Sequence, residues 1–432
     1  MGPTVGLYTL GCKVSQYETE AIGEELDRRG YVRRPFTDVC DAYVINTCTV
    51  TREADRKCRQ VIRRALRRNP DALVMVCGCY SQTTPHEIAE IAGVTYISGT
   101  HGKMAIPDRL DSYFSARPAA TVLEVSDVNQ APFEPMRISG YPRTRVYVKI
   151  EDGCECRCTY CAIPLARGNV RSKPMQDVLD EVAALAASGV EEVVLTGIET
   201  ASWGKDLGLK LIDLLEELDQ RRYVHRIRLG SLSPESITPA FVERFAKLST
   251  LTPHLHLSMQ SGCDKTLHAM KRRYNTKQAL AALARLREAV PSIQFTTDMM
   301  VGFPGETDED FATTLDFVKE ARFLDMHVFA YSRRAGTPAA EMKEQVQETI
   351  KSERSHILST LGASIRDEIL SGIVREGREL TMIPETLEDG VWQGHSDAFV
   401  ALAVQSDALS HGVPVKVRPI RHADGVIWCE AI

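Results

Sequence analysis

Four of the chain's twelve cysteines, Cys154, Cys156, Cys158 and Cys161, fall within eight consecutive positions. Clustered thiols in a chain without export features mean metal more often than disulfide. The spacing Cys154-x3-Cys158-x2-Cys161 puts three thiolates on one short loop. Three thiolates can hold three corners of a [4Fe–4S] cluster and leave the fourth iron free for a substrate, which four cysteine ligands would not allow. A structural zinc site using all four is the competing reading. It is disfavoured because Cys154-x-Cys156-x-Cys158 is tighter than zinc-finger pairing and no partner pair follows. Cys156 is therefore read as a bystander.

A second set lies far from the first. Cys12 follows the apolar run "VGLYTL", Cys48 follows "AYVINT", and Cys79 ends the run "ALVMVCGC". All three fall where parallel strands would end, and that edge of an open α/β sheet is where ligands bind. The alternative is three small core residues, since free cysteine packs as a hydrophobe; chance placement would not choose strand ends three times. Cys77 inside a strand, Cys58 inside a helix and Cys40 before a strand read as structural.

The elements that must position these thiols are legible in outline. A chain of 432 residues should divide into two or three domains. Apolar residues at 44% and charged residues at 25% fit a globular protein. The opening lacks a basic segment before an apolar run, and no stretch is long and apolar enough to span a bilayer, so no leader or membrane span is expected. Residues 1–115 alternate strand and helix as a small doubly wound α/β domain, with helices expected over 15–29, opening on a capping box at Ser15 and Glu18, and over 51–68. A linker follows at 116–145. Residues 146–372 hold six strand–helix alternations and trailing helices, which predicts an open (β/α)6 barrel, with the first cysteine loop just after its first strand. Residues 373–432 read as a small all-β module.

The loop Cys154–Cys161, with Tyr160 before its last cysteine, resembles the radical S-adenosylmethionine (SAM) superfamily. A three-cysteine amino-terminal domain, such a barrel and a terminal β module together resemble the methylthiotransferases of that superfamily. The stretches "GCKVSQYETE", "CAIPLARGNVRS", "TGIETASWGKD", "RIRLGSLSP", "HLHLSMQSGCDKTL", "MMVGFPGET" and "VFAYSRRAGTPAA" are most similar to the group that modifies N6-threonylcarbamoyladenosine beside the anticodon of tRNA. The resemblance implies two [4Fe–4S] clusters. Cys154, Cys158 and Cys161 would hold the one that cleaves SAM to a 5′-deoxyadenosyl radical; Cys12, Cys48 and Cys79 would hold the one that carries the sulfur. It also implies SAM as a bound small molecule, a tRNA substrate, an electron donor such as flavodoxin or ferredoxin, a TRAM-like RNA-binding β-barrel at the end of the chain, no membrane, and a cytoplasmic location. Gly197, Glu199, Gly302 and Arg167 are the expected SAM contacts. Here the sequence departs from the group, which usually has His where Glu199 stands and Gly or Tyr where Ala201 and Trp203 stand. Rival substrates are isopentenyl-adenosine tRNA and a ribosomal protein aspartate; a rival class is a non-catalytic iron–sulfur or zinc RNA-binding protein.

Net charge is −6, so any nucleic-acid surface must be local. Arg52, Arg56, Arg59, Arg63 and Arg67 step by three or four and predict a basic helical stripe. Arg143, Arg145, Arg167, Arg171 and Lys173 could meet RNA phosphates or the SAM carboxylate, and the run Lys271–Tyr274 and the group Lys416, Arg418, Arg421 and His422 could meet RNA. His254 and His256 read as hydrogen-bonded lining. Arg228, Arg333 and Arg334 are the expected partners for a threonylcarbamoyl carboxylate.

Overall fold

Continuous apolar runs build the first sheet because both its faces are covered. In the computed structural model, which describes residues 2–140 and 144–432, strands β1 (Thr4–Thr9), β2 (Val32–Arg34), β3 (Ala42–Thr47), β4 (Leu73–Gly78), β5 (Val94–Ser98) and β6 (Val122–Glu124) are all parallel, in the order β2-β1-β3-β4-β5-β6. β3 and β4 are buried at every position. The strand order reverses at β1 and β3, the switch point where open α/β sheets bind ligands. Cys12 and Cys48 follow those two strands. Two expectations are corrected. The boundary drawn at 115 moves outward, because β6 belongs to this sheet. The first helix spans Lys13–Arg28 and is capped at Cys12, so Ser15 and Glu18 are not its capping box. Both are buried within it, and Glu18 turns inward to cations.

Six parallel strands form the second unit: β7 (Arg145–Lys149), β10 (Glu192–Thr196), β11 (Arg226–Leu229), β12 (His254–Gln260), β13 (Gln294–Val301) and β14 (Asp325–Ala330). They pair as two sheets of three, β7-β10-β11 and β12-β13-β14. Parallel bridges Ile227–Leu251 and Leu232–Leu257 join the two halves. The result is the expected open barrel, with the helices Met175–Ala187, Leu211–Arg221, Thr276–Ala289 and Asp308–Ala321 between its strands. A short antiparallel pair, β8 (Glu151–Asp152) with β9 (Arg171–Ser172), clasps the base of the cysteine loop. Arg143 lies outside the described residues.

A 29-residue helix, Glu348–Glu376, leads to a closed five-stranded barrel: β15 (Leu380–Glu388), β16 (Val391–Ser396), β17 (Ala401–Gln405), β18 (Val415–Ala423) and β19 (Val426–Ala431). Pro384 and Pro419 sit where the register shifts, which is where a residue without an N–H is tolerated. The loop 396–399 of this module closes the amino-terminal end of the larger barrel. Arg226 bonds Glu192 at 2.6 Å and Asp397 at 2.7 Å, and Arg228 bonds Glu192 at 2.9 Å and the Asp397 carbonyl at 3.1 Å. Phe399, held at φ +66°, stacks between His254 and His395, with Arg145 and Arg228 at its ring.

The amino-terminal domain touches both edges of the open barrel. On the β7 side, the Glu18 carboxylate accepts from Lys103, from Lys149 of β7 at 2.8 Å and from Arg167 at 2.6 Å. On the β14 side, Arg334 donates to Asp55 at 2.7 Å and Thr49 at 2.6 Å. Glu18, Lys103 and Arg167 are 0% exposed. Burial alone would raise the Glu18 pKa; Arg167, Lys103 and Lys149 outweigh it and hold the carboxyl well below the usual range. Removing one member of such a network strands the rest without a partner. Glu18→Ala should therefore lower the unfolding free energy by about 3–5 kcal/mol, read by urea unfolding of the apo-protein; a loss like that of a surface substitution would show that the network is not what docks the domain.

Candidate functional site

Tight backbone turns aim the thiols. Gly78, just before Cys79, has φ +105°, and a Cβ there would lie 2.4 Å from the Thr47 carbonyl oxygen. Gly153, just before Cys154, has φ +88°, and its Cβ would lie 1.9 Å from the Asn169 carbonyl oxygen. Both positions admit only glycine, so the chain can turn sharply and present the next side chain. Cys79 then opens a short helix, Cys79–Thr83, rather than ending β4. Cys58 packs behind Cys48, its Sγ 3.4 Å from both the N–H and the carbonyl of Cys48. Cys40 and Cys77 are buried, as a structural role requires.

The three amino-terminal thiols lie within electrostatic range of one another. Burial pushes Cys48 up to about 12, and Cys79 and Cys12 add to the rise. Burial likewise raises Cys79, while Arg167 and Lys103 pull it down. In the barrel loop, burial pushes Cys161 up to about 12, with Cys158 adding to it. All twelve cysteines are free. A metal deprotonates the thiol that binds it, and each set also has a cationic side chain at hand to share the thiolate charge. The Arg167 Nε donates to Cys79 Sγ at 3.3 Å, and an Arg272 Nη donates to Cys158 Sγ at 3.4 Å. Among the described residues, three ligand atoms mutually within 4.8 Å, as a single ion needs, occur only at Cys154, Cys156 and Glu199. Neither triad is drawn in that far.

The Cys156 N–H donates to Cys154 Sγ at 3.4 Å, and hydrogen bonding from Cys154 lowers the Cys156 thiol to about 6. Cys156 is thus beside the site, not remote from it. Glu199 stands next to both, its carboxyl pushed up to about 8 by burial, with Cys156 and Glu235 adding to the rise. Its N–H donates at 2.9 Å to Glu151, a buried carboxyl held well above the usual range by burial. A side chain at Gly197 would strike that same Glu151, 2.5 Å away. Trp203 is buried and bonds the Lys173 carbonyl, so the departure there is one of packing. Gly302 follows β13 at φ +70°; its N–H donates to Glu306, and a Cβ would strike Lys351.

Several expected contacts are corrected. Arg167 does not face an open SAM site: it is spent on Glu18, Asp152 and Cys79 because it spans the domain interface. Arg145 pairs with Glu385, Arg171 with Asp152 and the Val128 carbonyl, and Lys173 with Glu181, so none is free for an outside anion. Arg228 is buried on Glu192, and Arg334 is held by Asp55; Arg333 stays exposed. His254 and His256 share the Thr296 hydroxyl at 3.0 and 2.9 Å, and His256 also meets Asp298 at 3.2 Å. Arg272 was legible only as part of a basic run. Its neighbours Ser233 and Ser258 come from other strands' ends, so its role as a sulfur donor is visible only once folded.

The basic stripe forms on the helix Arg52–Arg68, which starts four residues after Cys48 and runs outward for about 25 Å. Arg52, Arg56, Arg63 and Arg67 are exposed, whereas Arg59 is held by Tyr80 at 2.7 Å. In the terminal barrel, Arg421 stacks on Trp428, Lys416 bonds Thr381, and Arg418 pairs with Glu430 and Glu379.

Comparison with known proteins gives two family matches. The family described as the radical SAM superfamily matches residues 148–318, and that described as uncharacterized protein family UPF0004 matches residues 4–99. The chain is 40% identical over 427 residues to the threonylcarbamoyladenosine tRNA methylthiotransferase MtaB of Bacillus subtilis, covering 97% of this chain and 94% of the relative. It is 35% identical to the protein of that name in Thermotoga maritima, over 99% and 97% of the two chains. It is 34% identical to the tRNA-2-methylthio-N(6)-dimethylallyladenosine synthase of Carboxydothermus hydrogenoformans, over 98% of both. Among solved structures, the radical S-adenosylmethionine methyltransferase TsrM of Kitasatospora setae superposes with a TM-score of 0.60 at 18% identity, over 78% of this chain and 75% of that one, which shows the fold alone.

If each triad holds a cluster on its own, the anaerobically reconstituted protein should carry about eight irons per chain, and Cys154, Cys158 and Cys161 replaced together by Ala should leave about half. Cys156→Ser should keep all of it. Loss of all iron in the triple variant would refute an independent amino-terminal site, and loss in Cys156→Ser would make that residue a ligand.

Proposed function

This chain belongs to the radical SAM methylthiotransferase family, and from that premise we propose that it places a methylthio group on the adenine ring of N6-threonylcarbamoyladenosine beside the anticodon in tRNA. It is an enzyme that transfers a sulfur-containing group, and its cofactors are iron–sulfur and SAM. The observation that carries the proposal is a buried arginine that reaches one cysteine set from the segment that follows the other. Arg167, six residues after Cys161, bonds Cys79 of the other domain at 3.3 Å.

Bound here, [4Fe–4S] clusters and SAM supply one-electron chemistry for an aromatic C–H bond that acid–base side chains cannot activate. The protein's own part is holding and placing. Cys154, Cys158 and Cys161 hold one cluster, and Cys12, Cys48 and Cys79 the other. Glu199 and Arg272, beside the barrel thiols, are placed to meet the amino and carboxylate groups of SAM. The 396–399 loop stoppers the far end of the barrel and keeps water from entering there. A low-potential one-electron donor such as a flavodoxin or ferredoxin completes the cycle. Among the described residues no helix is long and apolar enough to cross a membrane. A tRNA substrate places the work in the cytoplasm.

Substrate choice turns on one charge. A threonylcarbamoyl group carries a carboxylate, whereas an isopentenyl group is apolar, and a pocket built for the first leaves its donors unpaired with the second. Arg228 and Arg334 are committed elsewhere, which leaves exposed Arg333, on the loop after β14, as the partner. Arg333→Ala should lower kcat/KM on threonylcarbamoyladenosine tRNA by about 10- to 100-fold, the worth of one hydrogen bond to a charged group, and spare SAM cleavage without RNA. Methylthio mass gain confined to isopentenyl tRNA, or to a ribosomal protein, would overturn the substrate.

The exposed stripe that starts beside Cys48 is suited to follow the anticodon arm. Changing Arg56, Arg63 and Arg67 together to Glu should weaken tRNA binding and flatten its dependence on salt. Unchanged affinity would make the stripe an ordinary solvated face.

A further inference from the structure

The two thiol sets sit in different surroundings. Around Cys79, the cations Arg167, Lys103, Lys149 and Arg171 face the carboxylates Glu18 and Asp152. A third acid, Glu134, accepts from the backbone N–H groups of Gly102 and Met104 at 3.1 and 2.9 Å, which leaves one cation in excess. Uncompensated positive charge sealed from water is costly, and its outlet is visible. The Arg167 Nη atoms bond Glu18 and Asp152, and its Nε points at Cys79 Sγ. Around the barrel thiols the charged groups lie closer to water. Arg272 alone donates to a sulfur there, Arg273 and Glu235 stand nearby, and Glu155 is paired with Lys205.

An electron added to an iron–sulfur cluster adds one negative charge, and cations and N–H donors at the ligand sulfurs favour that state. Resting on the reading of two cluster sites, we infer that Arg167 is a positioning residue that makes the cluster on Cys12, Cys48 and Cys79 the easier of the two to reduce. The first electron from a one-electron donor then resides in the amino-terminal domain. The step is a single-electron reduction of the cluster core from 2+ to 1+, with the donor oxidised by one electron and no bond or proton exchanged.

The test uses the reconstituted full chain. With Cys154, Cys158 and Cys161 as Ala, only the amino-terminal cluster remains; with Cys12, Cys48 and Cys79 as Ala, only the barrel cluster does. Dithionite titration followed by electron paramagnetic resonance gives each midpoint potential. The amino-terminal cluster should have the higher potential. Arg167→Gln should change its oxidised-to-reduced ratio at fixed potential at least tenfold toward oxidised, about 59 mV for one electron. Arg167→Lys, which keeps the charge but not the guanidinium fork, should fall between. Arg171→Gln, which removes a charge from the same network without a bond to sulfur, should move the ratio less than Arg167→Gln does. An unchanged potential in Arg167→Gln, an equal shift in Arg171→Gln, or a barrel cluster that reduces first overturns the inference. If Arg167→Gln holds no iron, Arg167→Lys decides; loss of iron from both in a protein with unaltered circular dichroism makes Arg167 an assembly residue and also overturns it. A parent protein with no amino-terminal iron removes the two-cluster reading itself.

Discussion

A carboxylate sealed from water must be matched by cations, and the arrangement of this protein follows from where Glu18 finds them. Glu18 lies on the helix that begins at Cys12. Its partners are Lys103 from the same domain, Lys149 from the first barrel strand, and Arg167 from just beyond Cys161. No pair in this set could be buried alone without a large desolvation cost. Together they fix the amino-terminal sheet against the barrel beside Cys79. Arg167 then turns its Nε–H to Cys79. Fold, domain docking and sulfur environment therefore meet in one guanidinium.

The other end of the barrel is fixed by the same kind of interaction. Arg226 and Arg228 share Glu192 and reach into the loop of the terminal module, where Phe399 is wedged between histidine and arginine side chains. A bulky residue at positive φ persists only where its surroundings enforce it. The terminal barrel thus acts as a stopper as well as a candidate RNA surface, and the lumen is left to open toward the thiols. Asp298, His254 and His256 line that lumen as a hydrogen-bonded set on Thr296.

Much of this was legible in the sequence, for a physical reason. Cysteines are rare and chemically specific, and strand ends in α/β sheets fall on one edge, so Cys12, Cys48 and Cys79 could be placed together without coordinates. The six barrel strands were readable from their apolar runs. What was missed depends on contacts distant in sequence. Ser15 and Glu18 have the spacing of a capping box, but Glu18 is drawn to cations up to 149 positions away. Arg145, Arg167, Arg171, Arg228 and Arg334 look in sequence like free anion binders; each is consumed by a carboxylate that only the fold brings near. The short strands β2 and β6, three residues each, carry too little pattern to be seen before the sheet that pairs them.

The central claim is that two separate iron–sulfur sites lie on the two sides of an interface that Glu18 and Arg167 hold shut. Electron paramagnetic resonance of the fully reduced, six-cysteine protein tests it most directly. Two clusters held close across that interface should give a spin-coupled spectrum that differs from the sum of the spectra of the two single-site variants. The coupling should fade in Glu18→Ala while both clusters remain. A spectrum equal to that sum in the parent protein would contradict the account.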